Sequence, residues 1–158
     1  MVVAIIGTDD YERSAFIVVR MWEVLTKLVS KEGARVFLFN NSGQFDQSCF
    51  EIVSQLKTRS PEIERHYYHG VFDYDVGYVS YMKERYEKVF FPEKGVPLKR
   101  CLRDRQMIDK CDVLVTYYYD LLLEEEPNSP IALAVAYARQ KKKQIINLYD
   151  LLFQYIPF

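Results

Sequence analysis

Three short polar stretches in this chain have the make-up of ligand-binding turns. Gly7-Thr8 closes one apolar run, Asn40-Asn41-Ser42-Gly43-Gln44-Phe45-Asp46 follows a second, and Asn128-Ser129-Pro130 opens a late, alanine-rich segment. Small polar residues let backbone amides approach an anion, and a helix starting at such a turn offers N–H groups with no intrahelical partner. Gly43 is expected to supply a left-handed turn and close ligand approach. Asp46 falls in the first turn of the following helix, where it either meets the ligand or caps the helix. Ser129 suits an N-cap and Pro130 the first helical position. Glu124, Glu125 and Glu126, just upstream, would repel a phosphate there unless they point away.

Lys99, Arg100, Arg103 and Arg105 form a local basic cluster. Two positions on a helix are separated by more than half a turn, so Arg103 and Arg105 do not face one ligand. His66 and His69 lie three apart in a strand-like pattern and so point to opposite faces, which argues against a metal pair. No acid–base pair, nucleophile signature or zinc spacing stands out elsewhere, and no cofactor is implied.

The elements that must position these turns follow from periodicity. Val2 to Ile6 and Arg35 to Phe39 are apolar runs without polar alternation, as in strands buried on both faces of a parallel sheet. Between them Ile17, Met21, Val24, Leu25 and Leu28 share a helix face, with Asp9 or Asp10 as cap and Gly33 at the carboxyl end. Phe45, Cys49, Ile52, Val53 and Leu56 mark a second helix. Ile63 to His69 suggests a third strand, Tyr74 to Glu87 a loop with a short helix, and Lys88 to Phe91 a short strand before Pro92, Gly95 and Pro97. Arg100 to Cys111 reads as a helix, Val113 to Tyr119 as a strand, Glu124 to Pro130 as a polar loop, Ile131 to Arg139 as a helix and Gln144 to Leu148 as a last strand. Strand–helix alternation implies right-handed crossovers over a mainly parallel sheet: an α/β, Rossmann-like, three-layer fold. Ligands in such folds sit at the carboxyl ends of the strands.

At 158 residues the chain is expected to be one domain, residues 1–158. With 49% hydrophobic and 27% charged residues it should fold. A net charge of −1 argues against a nucleic-acid partner, which needs a strongly basic surface. The 13 Tyr and 10 Phe point to a large aromatic core or to an aromatic patch for association or stacking. No segment reads as a membrane span. Cys49, Cys101 and Cys111 have no paired spacing and suggest reduced thiols, hence a cytoplasmic location.

Several segments together resemble the SLOG superfamily, which includes the Smf/DprA proteins and the Lonely-guy nucleotide hydrolases, and in particular its small single-domain bacterial branch. That branch has a second-strand loop of form G-G-x-G-G-F-D, matched by Asn40 to Asp46. Its R-x-R-x-M-(V/I) segment is matched by Arg103-Asp104-Arg105-Gln106-Met107-Ile108, with Asp112 opening the next strand. Its A-x-x-Y-A helix and I-I-N-L strand are matched by Ala134-Val135-Ala136-Tyr137-Ala138 and Ile145-Ile146-Asn147-Leu148. The resemblance implies a nucleotide-like or sugar-phosphate ligand, held by Gly7, Thr8, Asn40, Asn41, Ser42, Gly43, Asp46, Arg103, Arg105, Tyr117, Asn128 and Ser129. Arg103, at the family arginine position, is the candidate for pairing the anion and for any catalysis.

Hydrolases of the superfamily carry P-G-G-x-G-T-x-x-E at the late helix. Here Asn128 to Ala134 lacks its glycines and its glutamate, and the family lysine beside the arginine is Asp104. The expectation is therefore a ligand-binding protein, with a sensor as one form of it. The alternatives are a nucleoside 5′-monophosphate phosphoribohydrolase with Asp46 or Glu124 as substitute carboxylate, and an interaction module with a decayed site. Asp112 is expected to be structural, holding the preceding helix end or turn. A homodimer is expected too, since Leu151, Leu152, Phe153, Tyr155, Ile156 and Phe158 make the tail apolar; folding of the tail back on its own domain is the alternative.

Overall fold

In the computed structural model, which describes residues 1–8, 14–70, 74–93 and 100–152 (residues 100 and 101 by backbone alone), every strand runs the same way. Strands β1 (Val2–Ile5), β2 (Val36–Phe39), β3 (Glu64–Tyr68), β4 (Lys88–Phe90), β5 (Val113–Thr116) and β6 (Gln144–Asn147) form one six-stranded sheet in the order β4-β3-β2-β1-β5-β6. The helices are α1 (Ala15–Ser30), α2 (Gln44–Arg59), α3 (Val76–Arg85), α4 (Arg100–Lys110), α5 (Leu122–Glu125), α6 (Pro130–Gln140) and α7 (Leu148–Leu152).

The two-residue period of the strands sorts the core into two halves. Val3, Ile5, Phe37, Phe39, Val113 and Val115 pack on one face with the buried sides of α1 and α2. Ala4, Ile6, Leu38 and Leu114 pack on the other with α4 and α6. Both faces are covered, so the strands carry no polar alternation. This is the expected three-layer α/β architecture.

Local chemistry sets the element ends. Ser14, not Asp9 or Asp10, caps α1: its Oγ accepts from the Ile17 amide at 3.3 Å, while Asp9 and Asp10 lie outside the described residues. Gly33 takes the left-handed conformation expected of it, φ 74°, and the Ala34 amide returns to the Leu28 carbonyl at 2.8 Å. The Tyr74 to Glu87 segment is more ordered than its sequence suggests. It forms the ten-residue α3, capped by Asp75, with Met82 buried. The polar loop after β5 contains the short helix α5, anchored by buried Leu122. The last strand stops at Asn147, whose side chain accepts from the Tyr118 and Tyr149 amides (3.2 and 3.1 Å) and donates to the Tyr118 carbonyl (2.9 Å). That ties the ends of β5 and β6 together and starts α7, where Leu151 and Leu152 pack on the core of this chain. Residues 153–158 of the apolar tail lie outside the described residues, as do Gly95 and Pro97.

Asp112 holds β1 rather than the preceding helix. Its carboxylate accepts from the Val2 amide, and its own amide donates to the Val2 carbonyl, both at 2.8 Å. Among the described residues no helix is long and apolar enough to cross a membrane.

Candidate functional site

The strand order reverses direction at β1: β2, β3 and β4 lie on one side of it, β5 and β6 on the other. The chain leaving β1 enters α1 on one face, and the chain leaving β5 leads to α6 on the other, which makes this edge the topological switch point, where ligands of such folds bind. Thr8 spans this point, its amide donating to the Tyr117 carbonyl at 3.2 Å. Gly7, Thr8 and Tyr117 are half-buried. The Tyr117 ring stacks near Phe45 (centroids 6.1 Å apart), and Phe45 in turn occupies the space over Gly7. Packing thus joins the turns after β1, β2 and β5.

In the loop after β2 the backbone differs from expectation. Asn41, φ 51°, is its left-handed residue. Gly43 is extended (φ 169°, ψ −170°), with nothing within 4 Å of where a Cβ would stand. Asn takes the left-handed region more readily than most residues, so no glycine is required for the turn. Asn40 is buried, and its Oδ1 accepts from the Ser42 amide (3.2 Å) and hydroxyl (2.7 Å). The Asn40 amide donates to Asp46 Oδ2 at 2.9 Å, folding the loop onto the first turn of α2. Burial pushes the Asp46 carboxyl up to about 7, against the pull of the Asn40 and Asn41 amides and of the Arg103 and Arg85 guanidinium groups.

Three buried side-chain atoms at this edge have no hydrogen-bond partner among the described residues: Asn40 Nδ2, Asp46 Oδ1 and Thr116 Oγ1. Register explains their placing. Ala4 pairs with Leu38 and Ile5 with Val115, so Asn40, Ile6 and Thr116 continue as one row across β2, β1 and β5. At a strand spacing of about 4.8 Å, Asn40 and Thr116 flank the switch point from either side. The sequence reading included Asn40 and Asp46 but missed Thr116. Its one signal was a hydroxyl at the end of an otherwise apolar strand.

Arg103 lies in the first turn of α4, buried, with Nε and Nη2 donating to Asp104 Oδ1 at 3.0 and 2.8 Å. Its guanidinium lies against the end of β3, where a Cβ on Gly70 would stand 2.5 Å from Nη1. Asp104 is thus the counter-ion of Arg103. Arg105 is exposed, its guanidinium 5.1 Å over the Tyr137 ring, so the two arginines diverge as helical spacing requires. The late turn forms a capped helix start. Ser129 Oγ is engaged as N-cap by the Ala132 amide at 3.2 Å, while Asn128 and Glu124 are exposed.

The two histidines are separated. His66 packs near Phe90, and His69 Nδ1 lies 2.7 Å from the Tyr67 hydroxyl. Among the described residues no group of His, Cys, Asp and Glu could hold a metal ion. Much of the aromatic load gathers around β3, α3 and β4, where Tyr67, His69, Tyr74, Tyr78 and Phe91 touch in one cluster. Cys49 and Cys111 are buried free thiols.

Fold and site define a doubly wound, Rossmann-like α/β protein with polar groups buried at its switch point. No protein-family model matches the chain, and no curated protein matches it. Among solved structures it is similar to the X-ray structure of TM1055, a Northeast Structural Genomics Consortium target. The two share 15% sequence identity with a TM-score of 0.54, over 99% of this chain and 82% of that one. At that identity the likeness is one of fold.

Proposed function

We propose that this chain binds a nucleotide-derived or phosphoribosyl ligand at the carboxyl ends of β1, β2 and β5, as a binding or sensing protein rather than an efficient hydrolase. The observation that carries this reading is the set of unpartnered buried atoms, Asn40 Nδ2, Asp46 Oδ1 and Thr116 Oγ1. A buried polar atom without a partner costs about 1–3 kcal/mol, and few are left so in folded proteins. A donor, an acceptor and a hydroxyl at one edge of the sheet suit a ribose, whose hydroxyls both give and take hydrogen bonds. Arg103 supplies positive charge for an attached phosphate, moderated by Asp104. The resemblance to the SLOG superfamily supports the same ligand class, and the missing glutamate at the late helix argues against its hydrolase chemistry.

The test is a thermal-shift series with AMP, ribose 5-phosphate and NAD on the native chain and on Thr116→Val. The variant is nearly isosteric and removes only the unpartnered hydroxyl. A ligand-induced rise in Tm that shrinks in Thr116→Val, with the ligand-free Tm equal or higher, is the expected result. No response to any nucleotide, sugar phosphate or dinucleotide refutes the proposal.

A second reading, the phosphoribohydrolase, is favoured by one observation: the Asp46 carboxyl at about 7 lies in the working range of a general acid or base. Release of free base from purine monophosphates, abolished in Asp46→Asn and in Arg103→Ala, would establish it over simple binding.

A further inference from the structure

The doubly wound topology leaves one part of the sheet less covered. On the α1 side, α2 and α3 reach out over β2, β3 and β4. On the opposite side, α4 packs against β1 and α6 and meets the outer strands along its flank, with Arg103 beside Gly70 and Lys110 over Tyr68 and Phe90. A pocket of about 360 Å³ fills this step between the flank of α4 and the outer strands.

Its lining is unlike the polar edge at the switch point. Tyr68 and Phe90, paired across β3 and β4, stack with ring centroids 4.6 Å apart and planes 21° from parallel. The Lys110 ammonium stands 4.5 Å from the Phe90 centroid and 5.3 Å from that of Tyr68, with no carboxylate partner among the described residues. His69, Phe91, Pro92 and Gln106 complete the wall, Gln106 one turn before Lys110 on α4. Tyr68 is 2% exposed, yet its hydroxyl has no hydrogen-bond partner among the described residues.

We infer that this pocket is a second ligand site, taking a planar aromatic molecule that bears an anionic group. The Phe90 ring, 36% exposed, favours a flat partner by offset stacking. A lysine resting on aromatic rings rather than on a carboxylate keeps its charge available for an anion. The Tyr68 hydroxyl and the Gln106 amide supply directional hydrogen bonds to polar edges of the ligand. The volume falls at the lower end of the range for small-molecule pockets. The inference does not depend on what binds between β1 and β5.

The experiment uses 2-naphthoate as probe, with 2-naphthamide (ring without charge) and decahydronaphthalene-2-carboxylate (charge without aromatic ring) as controls, followed by amide chemical shifts. The expected result is saturable binding of 2-naphthoate with shifts confined to the ends of β3 and β4 and the last turns of α4. Both controls should bind more weakly. Lys110→Met should weaken 2-naphthoate about tenfold, the scale of one hydrogen bond to a charged group. Tyr68→Phe should raise the Tm of the ligand-free protein by removing the unpartnered hydroxyl, while weakening the probe. Absence of saturable binding overturns the inference, and so does binding that is indifferent to Lys110→Met or that shifts the switch-point residues instead.

Discussion

The Phe45 ring occupies the space that a side chain on Gly7 would need, so the glycine ending β1 is fixed by packing against the first turn of α2. Gly7→Ala should therefore lower stability by about 1–3 kcal/mol, the usual cost of overfilling a packed site. Chemical denaturation measures it. The pair Gly7→Ala with Phe45→Leu should lose less than the sum of the single losses, because the second change vacates the space the first requires.

Gly43 gives the opposite expectation. Its extended backbone and open surroundings leave room for a side chain, so Gly43→Ala should shift stability by no more than about 0.5 kcal/mol. Thermal unfolding checks this. If a ligand approaches the loop, Gly43→Val should weaken its binding with little change in Tm.

Asp46 gives the protein a pH dependence of definite sign. Its carboxyl is raised from 3.8 to about 7 in the folded chain. Below pH 4 it is protonated in both states and contributes nothing. Between about 4 and 7 the unfolded chain ionises while the folded one keeps its proton, so this group lowers stability as pH rises, and above 7 the full loss is present. Asp46→Asn should flatten that fall. Urea titrations at pH 4.5 and 7.5 on both proteins measure the difference.

Arg103 and Asp104 form a buried ion pair, 6% and 2% exposed. Removing one partner strands the other charge, so Arg103→Ala should cost about 3–5 kcal/mol of stability whatever its effect on a ligand. Arg103→Leu combined with Asp104→Leu should recover much of that in a denaturation experiment. Loss of binding in Arg103→Ala therefore has to be judged at a temperature where the variant is folded.

The apolar tail divides at α7. Leu151 and Leu152 pack on the body of their own chain, so a truncation meant to probe self-association should end at Leu152 rather than Asp150. Sedimentation of the full chain and of the shortened one separates the alternatives. A full-length dimer that becomes a folded monomer places the tail in the interface, and a full-length monomer at micromolar concentration rules out the dimer.

The sequence by itself determined the layer architecture, the parallel sheet and nearly every element. Unalternated runs such as Val2 to Ile6 can be satisfied only by burial on both faces, and the helix stripes carry their own 3.6-residue period. Ser129 as a cap and the divergence of Arg103 from Arg105 were legible for the same reason, since both depend on neighbours within one turn. The tertiary structure alone decided what depends on partners distant along the chain. The reason Gly7 must be glycine is Phe45, the Asp112 carboxylate holds Val2, and register sets Thr116 in one row with Asn40. The strand order did likewise: alternation of strands and helices fixes that the sheet is parallel, but only packing brings β5 beside β1, and with it the buried, unpartnered groups at the switch point.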